Sequence, residues 1–429
     1  MPINPRDGSP KEKAILVGVR WGNTPSHLVD EHLDELGLLA ETAGAEVIGR
    51  VVQARERPDA ATFVGKGKAN SLIKQALALN CDLVIVDEEL SPSQHRNLQE
   101  LAGDDFKVID RSGLILDIFD RHARTHEAKI QVELARLQYL LPRLSGRWSH
   151  LERQKGGIGT RGGMGETQIE IDRRIVRTRI GKLKRELKRK IAEHRTRVKQ
   201  RERVFRVALV GYTNAGKSTL MNALTDADVF VEDQLFATLD TTTRRLQIGN
   251  HQPILLSDTV GFIRKLPHHL IASFRTTLAE VTEADLIVKL LDASSPQVED
   301  HLETINEVLE ELGIDDRTDL IVLNKVDIVD QEELARLQRR LPEALLISAR
   351  QHLRLETLEE AFEEAQSRHY RAVELQVPIG SAKLVSEIYR QLEVMGRQDD
   401  EHLVTLQVRG SDKAIRAFQR RIEAQAAAK

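Results

Sequence analysis

Residues 205–224, FRVALVGYTNAGKSTLMNAL, decide the fold of the central part of this chain. The apolar strand FRVALV runs into the loop Gly211-Tyr-Thr-Asn-Ala-Gly-Lys-Ser218, and the helix-forming sequence TLMNAL follows it. The loop has the G-x-x-x-x-G-K-[ST] pattern, in which backbone N–H groups turn inward around phosphate oxygens and the helix points its positive end at them. A chance match is disfavoured because both the strand and the helix are in place. We therefore expect a P-loop α/β domain.

Two further elements follow in the order that a guanine-nucleotide site requires. Asp258-Thr-Val-Gly261 ends the strand PILLSD, so the carboxylate can hold Mg²⁺ through water and the Gly261 N–H can bond the γ-phosphate. Asn324-Lys-Val-Asp327 follows the strand DLIVL, and Asp327 can accept hydrogen bonds from N1–H and the N2 amine of guanine. Adenine has neither donor, and sites that bond a substrate group reject analogues lacking it. The order predicts GTP as the ligand.

The chemistry assigns roles to individual residues. Lys217 should reach the β and γ oxygens, and the Ser218 hydroxyl should bind Mg²⁺ together with Thr238 of the mobile segment Leu235–Thr243. A backbone N–H in Ser348-Ala-Arg350 should meet guanine O6. The expected nucleotide contacts are Gly211, Tyr212, Thr213, Asn214, Ala215, Gly216, Lys217, Ser218, Thr219, Phe236, Ala237, Thr238, Leu239, Asp240, Asp258, Thr259, Val260, Gly261, Asn324, Lys325, Val326, Asp327, Ser348, Ala349 and Arg350.

Catalysis is unusual in this pattern. Ras-type enzymes carry a water-orienting glutamine after D-x-x-G, but here the residue is Phe262, which neither donates nor accepts hydrogen bonds. We expect slow intrinsic hydrolysis by Lys217, Thr238, Gly261 and Asn214, with a large partner supplying the missing function. Asn214 has two open interpretations: a ligand for a monovalent cation such as K⁺, or a residue that tolerates a tight turn.

Composition limits the class of protein. The 429 residues are 41% apolar and 30% charged, with a net charge of −3, as in ordinary globular proteins. The single cysteine excludes a disulfide framework and a cysteine zinc site. The polar start and the absence of a long apolar run predict a cytoplasmic protein without a membrane span. We expect a monomer.

The pattern outside the P-loop region divides the chain into four parts. Residues 1–120 alternate strands and helices, which predicts a parallel α/β domain. In residues 121–203, apolar residues at coiled-coil spacing flank the Gly-rich segment 142–168, which predicts a long antiparallel helical hairpin with this segment as its tip. Residues 204–368 form the GTPase domain, with a mixed, mostly parallel sheet. Residues 369–429 read as strand, helix, strand, helix, a small α/β tail.

Several motifs together resemble those of the HflX GTPases, within the Obg-HflX-like group of P-loop GTPases. They are GYTNAGKSTL, QLFATLD, DTVGFIRKLPH, NKVD, RSGLILDIFDRHARTHEAKIQVELA and HLERQKGGIGTRGGMGETQIEIDRR. The resemblance implies a factor that binds the 50S subunit and the 70S ribosome and splits or rescues stalled ribosomes under stress such as heat. It also implies a tip that reaches toward the peptidyl-transferase centre in 23S rRNA, and ATP hydrolysis in some members. The tip departs from the family pattern R-G-P-G-E-T, because this chain has Arg161-Gly-Gly-Met-Gly-Glu-Thr167.

The hairpin supports RNA binding from its residues as well. Its second helix is rich in Lys and Arg between Arg173 and Lys190, and the tip carries Arg147, Trp148 and Lys155. Phosphate neutralisation explains such a helix, but so does a solvated coiled-coil face. Two other classes of function remain open. One is a GTP-dependent signalling adaptor for protein clients, and the other is an ATP-driven RNA remodeller that uses the N-terminal domain.

Two smaller motifs in the N-terminal domain favour structural roles. Phe63-Val-Gly-Lys-Gly-Lys68 lacks P-loop spacing, and we interpret it as a turn with solvated lysines rather than a second nucleotide site. Asp87-Glu-Glu89 follows a buried strand, and we interpret it as an acidic turn that caps the next helix rather than a metal site.

Overall fold

The computed structural model describes residues 11–22, 24–103, 106–144, 168–199, 204–225, 235–236, 239, 241–249, 253–265, 279–314 and 319–427. It contains two compact units. The first consists of residues 1–192, 232–240 and 260–278, and the second of residues 193–231, 241–259 and 279–429. The helices of the described part include none that is long and apolar enough to cross a membrane.

The first unit is built on a four-stranded parallel sheet, as the alternation of strands and helices predicted. The strand order is β2-β1-β3-β4. Strand β3 has four buried residues in succession, which is typical of a strand covered on both faces. The strands and helices are β1 (Glu12–Trp21), α1 (Ser26–Thr42), β2 (Ala45–Arg55), α2 (Lys66–Ala78), β3 (Leu83–Val86), α3 (Pro92–Ala102), β4 (Lys107–Asp110) and α4 (Arg111–His122).

The acidic turn after β3 does not cap α3, so that interpretation was wrong. Ser91 caps the helix instead, in a reciprocal arrangement with Gln94 and with Pro92 at the first helical position. Asp87 binds the buried guanidinium of Arg111, with 2.8 Å between Nη1 and Oδ1. The carboxylate is used for a buried ion pair because Arg111, at 1% exposure, has no access to water.

The Gly-rich turn before α2 has the features of a structural turn. Phe63 is buried, has a φ of 63° and forms an isolated bridge with Asp59. Gly65 is the N-cap of α2, and Lys66 is exposed. The turn is structural, as predicted, but Lys66 and Lys68 lie in the first turn of α2, where Lys66 is exposed and Lys68 is half-buried.

Strand β4 lies at the edge of this sheet, and the side chain of Gln99 covers its backbone. The Gln99 Oε1 accepts from the Val108 N–H at 2.9 Å, while its Nε2 donates to Phe106 O at 3.0 Å. The amide thus takes the place of a neighbouring strand at these backbone groups. Covering an edge in this way removes a template for pairing with another chain.

The hairpin predicted for the middle of the chain is present. Helix α5 (His126–Leu140) and helix α6 (Gln168–Lys199) run antiparallel. His126 contacts Glu186, and Glu133, further along α5, contacts Arg179, which lies earlier in α6. Within the described part of the hairpin, four buried residues form its core: Ile130, Leu134, Leu183 and Leu187. The predicted tip, 142–168, lies almost entirely outside the described residues, which end at 144 and resume at 168.

The second unit contains a six-stranded mixed sheet in the order β10-β9-β8-β5-β7-β6. All pairs in it are parallel except β6 with β7, as expected for the predicted P-loop domain. Its elements are β5 (Arg206–Gly211), α7 (Lys217–Thr225), β6 (Thr242–Leu246), β7 (Ile254–Asp258), α8 (Ala279–Glu283), β8 (Leu286–Asp292), α9 (Val298–Glu311), β9 (Asp319–Asn324), α10 (Gln331–Arg340), β10 (Leu345–Leu346) and α11 (Leu355–His369).

The tail of the second unit differs from the prediction by one strand. Its described elements are β11 (Tyr370–Pro378), α12 (Ala382–Gln391), β12 (Glu393–Asp399), β13 (Leu403–Ser411) and α13 (Asp412–Ala427). The order is therefore strand, helix, strand, strand, helix, and β13 lies between β11 and β12 with antiparallel pairing. The polar strand β12, EVMGRQD, buries none of its residues fully, so it lacks the alternation that identifies a strand from sequence.

The cover on β4 gives a testable stability prediction. Gln99→Leu should leave the Val108 N–H and Phe106 O unsatisfied at a cost of about 1–3 kcal/mol. Hydrogen exchange measured by mass spectrometry should then show faster exchange in the peptide containing β4. Glu100→Gln, on the same helix and 70% exposed at its side chain, is the control and should leave the exchange unchanged. Equal protection in both variants would contradict the assigned role of Gln99.

Candidate nucleotide-binding site

The candidate site lies where parallel strands of the second unit end. Gly211 ends β5, Asp258 ends β7 and Asn324 ends β9. The carboxyl ends of parallel strands share one edge of a sheet, which is where ligands bind in open α/β folds. Motifs that are more than one hundred residues apart in sequence therefore meet in space.

The loop before α7 has the backbone that phosphate binding requires. Gly216 has a φ of 93°, and a β-carbon at this position would overlap the Nδ2 atom of Asn324. Gly211 is equally constrained, because a β-carbon there would overlap the carbonyl oxygen of Leu290. Asn214 is exposed and has a φ of 61°, a left-handed conformation in which asparagine is enriched. Only glycine fits at the first two positions.

Lys217, at the start of α7, is buried within this loop. Its Nζ donates to the carbonyl oxygens of Gly211 at 3.0 Å and Tyr212 at 2.9 Å. Burial lowers the pKa of the Lys217 ammonium to about 8, against the opposing effect of the nearby Asp258 carboxylate. The group is thus a cation held out of water beside the loop, and an added anion would stabilise its charge.

Two oxygen donors meet next to Lys217. The Ser218 hydroxyl donates to Asp258 Oδ2 at 2.6 Å, and Asp258 is 2% exposed. A hydroxyl and a carboxylate at a strand end are the hard oxygen donors that Mg²⁺ prefers. These two residues therefore fit a magnesium ion. Thr259 follows and is held by its own hydroxyl, which donates to Leu209 O at 2.7 Å.

Asn324 joins three of the predicted nucleotide elements with one side chain. Its Nδ2 donates to Ala215 O in the P-loop at 2.9 Å, and its Oδ1 accepts from the Ala349 N–H at 2.9 Å. Asp327 is exposed, in a 3₁₀ turn (Val326–Ile328) that begins directly after Lys325. The carboxylate is therefore accessible to a base, and the loop of Ala349 is tied to the same support.

The predicted contacts fall into three groups. The second unit brings together Gly211, Tyr212, Thr213, Asn214, Ala215, Gly216, Lys217, Ser218, Thr219, Asp258, Thr259, Asn324, Lys325, Val326, Asp327, Ser348, Ala349 and Arg350. The first unit contains Phe236, Leu239, Val260 and Gly261. The positions of Ala237, Thr238 and Asp240 lie outside the described residues.

Two segments of the predicted site belong in part to the first unit, at residues 235–236 and 239 and at residues 260–265, and these parts are packed into it. Phe236 is 2% exposed and meets the ring of Phe119 edge-on at 4.7 Å between centroids. The carbonyl of Arg264 accepts from Arg111 Nε at 3.2 Å, and Lys265 Nζ lies 3.1 Å from Asp87 Oδ2. These segments are thus held by an aromatic contact and by ion pairs.

Two contacts of the site had no signal in the motifs. Tyr212 of the P-loop stacks on His301 of α9 with 3.8 Å between ring centroids. Asp292, at the end of β8, pairs with Lys325 at 2.6 Å between Oδ2 and Nζ. The sequence shows Asp292 at the end of an apolar strand, but it does not show that Lys325 is the partner of this carboxylate.

Comparison with known families gives three consecutive matches along the chain. They are the N-terminal region of GTP-binding GTPases over residues 30–120, the middle region of the same proteins over residues 122–201, and a 50S ribosome-binding GTPase over residues 206–325. The third match contains the P-loop and the first two residues of the guanine motif, Asn324 and Lys325.

Individual relatives match most of the chain. The GTPase HflX of Flavobacterium psychrophilum is 51% identical over 316 residues, which cover 74% of this chain and 76% of the relative. The GTPase HflX of Escherichia coli is 41% identical over 404 residues, which cover 93% of both chains. Among solved structures, a complex of SsGBP with GDP is 25% identical, with a TM-score of 0.44, over 82% of this chain and 98% of that one.

The left-handed glycine of the P-loop gives a direct test of the site. Gly216→Ala should weaken binding of a fluorescent GTP analogue by more than about tenfold, because the new methyl group meets Asn324 in a strained conformation. Gly181→Ala in α6 is the matched control, since nothing lies within 4 Å of its added carbon. Equal affinities of the two variants would rule out the described loop geometry.

The pKa of Lys217 predicts how binding depends on pH. The group has a pKa of about 8 in the nucleotide-free protein, and bound phosphates should raise that pKa by favouring the charged form. GTP affinity should therefore be constant well below pH 8 and fall by up to about tenfold per unit above it, because binding then requires proton uptake. Calorimetric titrations at pH 7 to 9.5 measure this. Lys217→Ala should lack the dependence, and a slope that persists in that variant would contradict the assignment.

Proposed function

Because the chain belongs to the HflX family of GTPases, and so binds and hydrolyses GTP, we propose that it associates with the 50S subunit and the 70S ribosome. There it splits or rescues stalled ribosomes under stress such as heat. The family model for residues 206–325 is described as a 50S ribosome-binding GTPase, which supports this partner. We further propose that it acts as a cytoplasmic monomer and that the four-part division of the sequence describes its domains.

The observation that carries the ribosomal proposal is the charge distribution on α6. Between Arg173 and Lys190 the only acidic residue is Glu186, and it contacts His126 of α5. At 3.6 residues per turn, the exposed cations of this stretch fall mainly on the sides away from Leu183 and Leu187. These cations are Arg174, Arg177, Arg179, Lys182, Lys184, Arg185, Lys188 and Arg189.

The exposed face of this stretch of α6 carries cations and no acidic residues. Such a face matches the negative charge of an RNA phosphate backbone better than it matches a protein surface, which carries charges of both signs. Among the described residues, Arg177, Arg185 and Lys188 pair with no carboxylate, whereas Arg179 is bound to Glu133 at 2.6 Å. Pairing with a carboxylate is what a solvated coiled-coil face usually shows. We therefore assign this face, with the Gly-rich tip, to 23S rRNA.

At the nucleotide site we propose that Lys217 holds the β- and γ-phosphates and that Asp327 reads guanine. Ser218, with Asp258 and Thr238, would hold Mg²⁺, which when bound neutralises the charge that develops on the phosphates. The Gly261 N–H would bond the γ-phosphate. The burial of Lys217 supports its role, because a cation held out of water needs no reorganisation when the phosphates arrive.

The residue after Gly261 supports a partner-dependent reaction. Phe262 is 2% exposed and apolar, so it orients no water molecule. We propose that the ribosome completes the site and that the intrinsic reaction is slow. The left-handed backbone of Asn214 supports the interpretation that this residue tolerates a tight turn. We also keep in the proposal a K⁺ ion bound at its amide oxygen.

The other two classes of function gain less support. A signalling adaptor does not explain the acid-free face of α6. For an ATP-driven remodeller, the turn before α2 has Thr62, Phe63 and Val64 buried and offers a structural explanation for its glycines. ATP hydrolysis is therefore a secondary candidate, and GTP-dependent ribosome binding is the function that we propose.

Co-sedimentation with 50S subunits in a non-hydrolysable GTP analogue tests the proposal. We expect the protein in the 50S fraction at low salt, with binding that weakens as salt rises. The triple variant Arg177→Gln, Arg185→Gln and Lys188→Gln should bind less, and its slope of log K against log salt should be smaller by about 2–3, or 0.7–0.9 per lost phosphate contact.

A variant with the same change in net charge provides the control. Arg336, Arg340 and Arg368 are surface residues that pair with Glu333, Glu299 and Glu364. Changing all three to Gln should leave the slope unaltered. Absence of the unmodified protein from the 50S fraction would remove the ribosomal proposal, and equal slopes for the two triple variants would remove the assignment of α6.

A further inference from the structure

We infer that Asp292 is a positioning residue for guanine binding: its carboxylate holds the ammonium group of Lys325, so that the lysine stem is arranged before the base arrives. The inference rests on the proposed site, where Lys325 is an expected nucleotide contact of the guanine motif and, as part of that proposal, its stem lies against the plane of the base. Asp292 lies outside the four nucleotide motifs at 211–218, 258–261, 324–327 and 348–350. Its role is inferred from its contacts alone.

The Asp292 carboxylate is itself held in one orientation. Its Oδ1 accepts from the backbone N–H of Ser294 at 3.0 Å and from the Ser294 hydroxyl at 2.6 Å. These bonds leave Oδ2 for Lys325, whose Nζ lies 2.6 Å away. One oxygen thus fixes the carboxylate, and the other binds the cation.

The backbones of the two partners are also joined. Asp292 ends β8 and Asn324 ends the neighbouring strand β9, and the Ala293 N–H donates to Asn324 O at 2.9 Å. Lys325 itself has a φ of 65°, a left-handed conformation that a lysine rarely adopts. The side chain therefore leaves a constrained backbone at one end and ends on a constrained carboxylate at the other.

This arrangement differs from an ordinary surface ion pair. Such pairs contribute little because two mobile side chains must be ordered at once. Here the side chains of Lys325 and Asp292 are 27% and 20% exposed, and the acid is already ordered by Ser294. The rotamer freedom of a lysine is large, and restricting it before the ligand binds favours ligand affinity. Asp292 acts on the base through Lys325 and touches no phosphate in this scheme.

The substitution Asp292→Asn tests this role with almost no change in volume. The amide oxygen can still accept from Ser294, but the amide nitrogen then faces the ammonium of Lys325 and cannot hold it. We expect a three- to tenfold increase, on the order of one lost charge-assisted contact, in the Kd and KM for GTP, with little change in kcat. The Kd for inorganic tripolyphosphate, measured by competition, should stay the same because that ligand has no base.

A double-mutant cycle with Lys325→Ala separates a positioning role from a structural one. If Asp292 acts through Lys325, Asp292→Asn should add no further loss of GTP affinity in the Lys325→Ala background. Asp319→Asn is the matched control, because Asp319 pairs with Lys289 at the other end of the same sheet. This control should leave GTP affinity unchanged.

Each other outcome overturns a defined statement. An additive loss in the double variant, an unchanged Kd in Asp292→Asn, or an equal loss of tripolyphosphate affinity would overturn the inference while the proposed site stands. If Lys325→Ala alone left GTP affinity unchanged, the assignment of Lys325 to the guanine pocket would fail, and the inference would fail with it. Ser294→Ala removes the hydroxyl bond to Asp292 Oδ1 but keeps the backbone N–H bond and the charge of the carboxylate, so it should give a smaller loss in the same direction as Asp292→Asn.

Discussion

The amide of Asn324 is the interaction on which the nucleotide site depends. A single side chain donates to the P-loop at Ala215 O and accepts from the Ala349 N–H, both at 2.9 Å. Only a group with a donor and an acceptor at this spacing can make both bonds, and Asn324 is 2% exposed, so water cannot replace them. Each buried partner left unsatisfied would cost about 1–3 kcal/mol. The P-loop, the strand end at Asn324 and the loop of Ala349 are thus parts of one hydrogen-bonded unit.

Around this amide, the site concentrates features that ordinary packing avoids. Asn214 and Lys325 have left-handed backbones, and Lys217 is a buried cation whose pKa is lowered to about 8. Such strain and desolvation persist where the surrounding structure determines them, which is common at functional sites. A phosphate ligand would stabilise the charged form of Lys217, which burial disfavours in the ligand-free protein. The free energy lost by burying this cation would therefore be partly recovered on binding.

The first unit also contains a buried cation, Arg111, but this one is paired with carboxylates and holds the structure together. Arg111 is 1% exposed and binds Asp87, Glu35 and the carbonyl of Arg264. The turn with Asp87 looked like a helix cap in sequence because acids near a helix start usually have that role. The partners of the Asp87 carboxylate include Lys265, which is 178 positions away in the sequence. Local propensity carries no information about such a pair, whereas the capping of α3 by Ser91 is local and follows from the sequence Ser-Pro-Ser-Gln.

The sequence by itself determined the P-loop domain, the order of its strands and helices, the hairpin and the family, because these depend on local patterns and on motifs whose chemistry requires set spacings. Tertiary structure alone decided the contacts between distant residues: the pairing of Asp292 with Lys325, the cover of β4 by Gln99 and the extra strand β12. The physical reason is that each depends on which strand ends or edges become neighbours. The sequence predicted Asp327 as the residue that recognises guanine, and the structure added the ion pair of the neighbouring Lys325 with Asp292, which no motif contains.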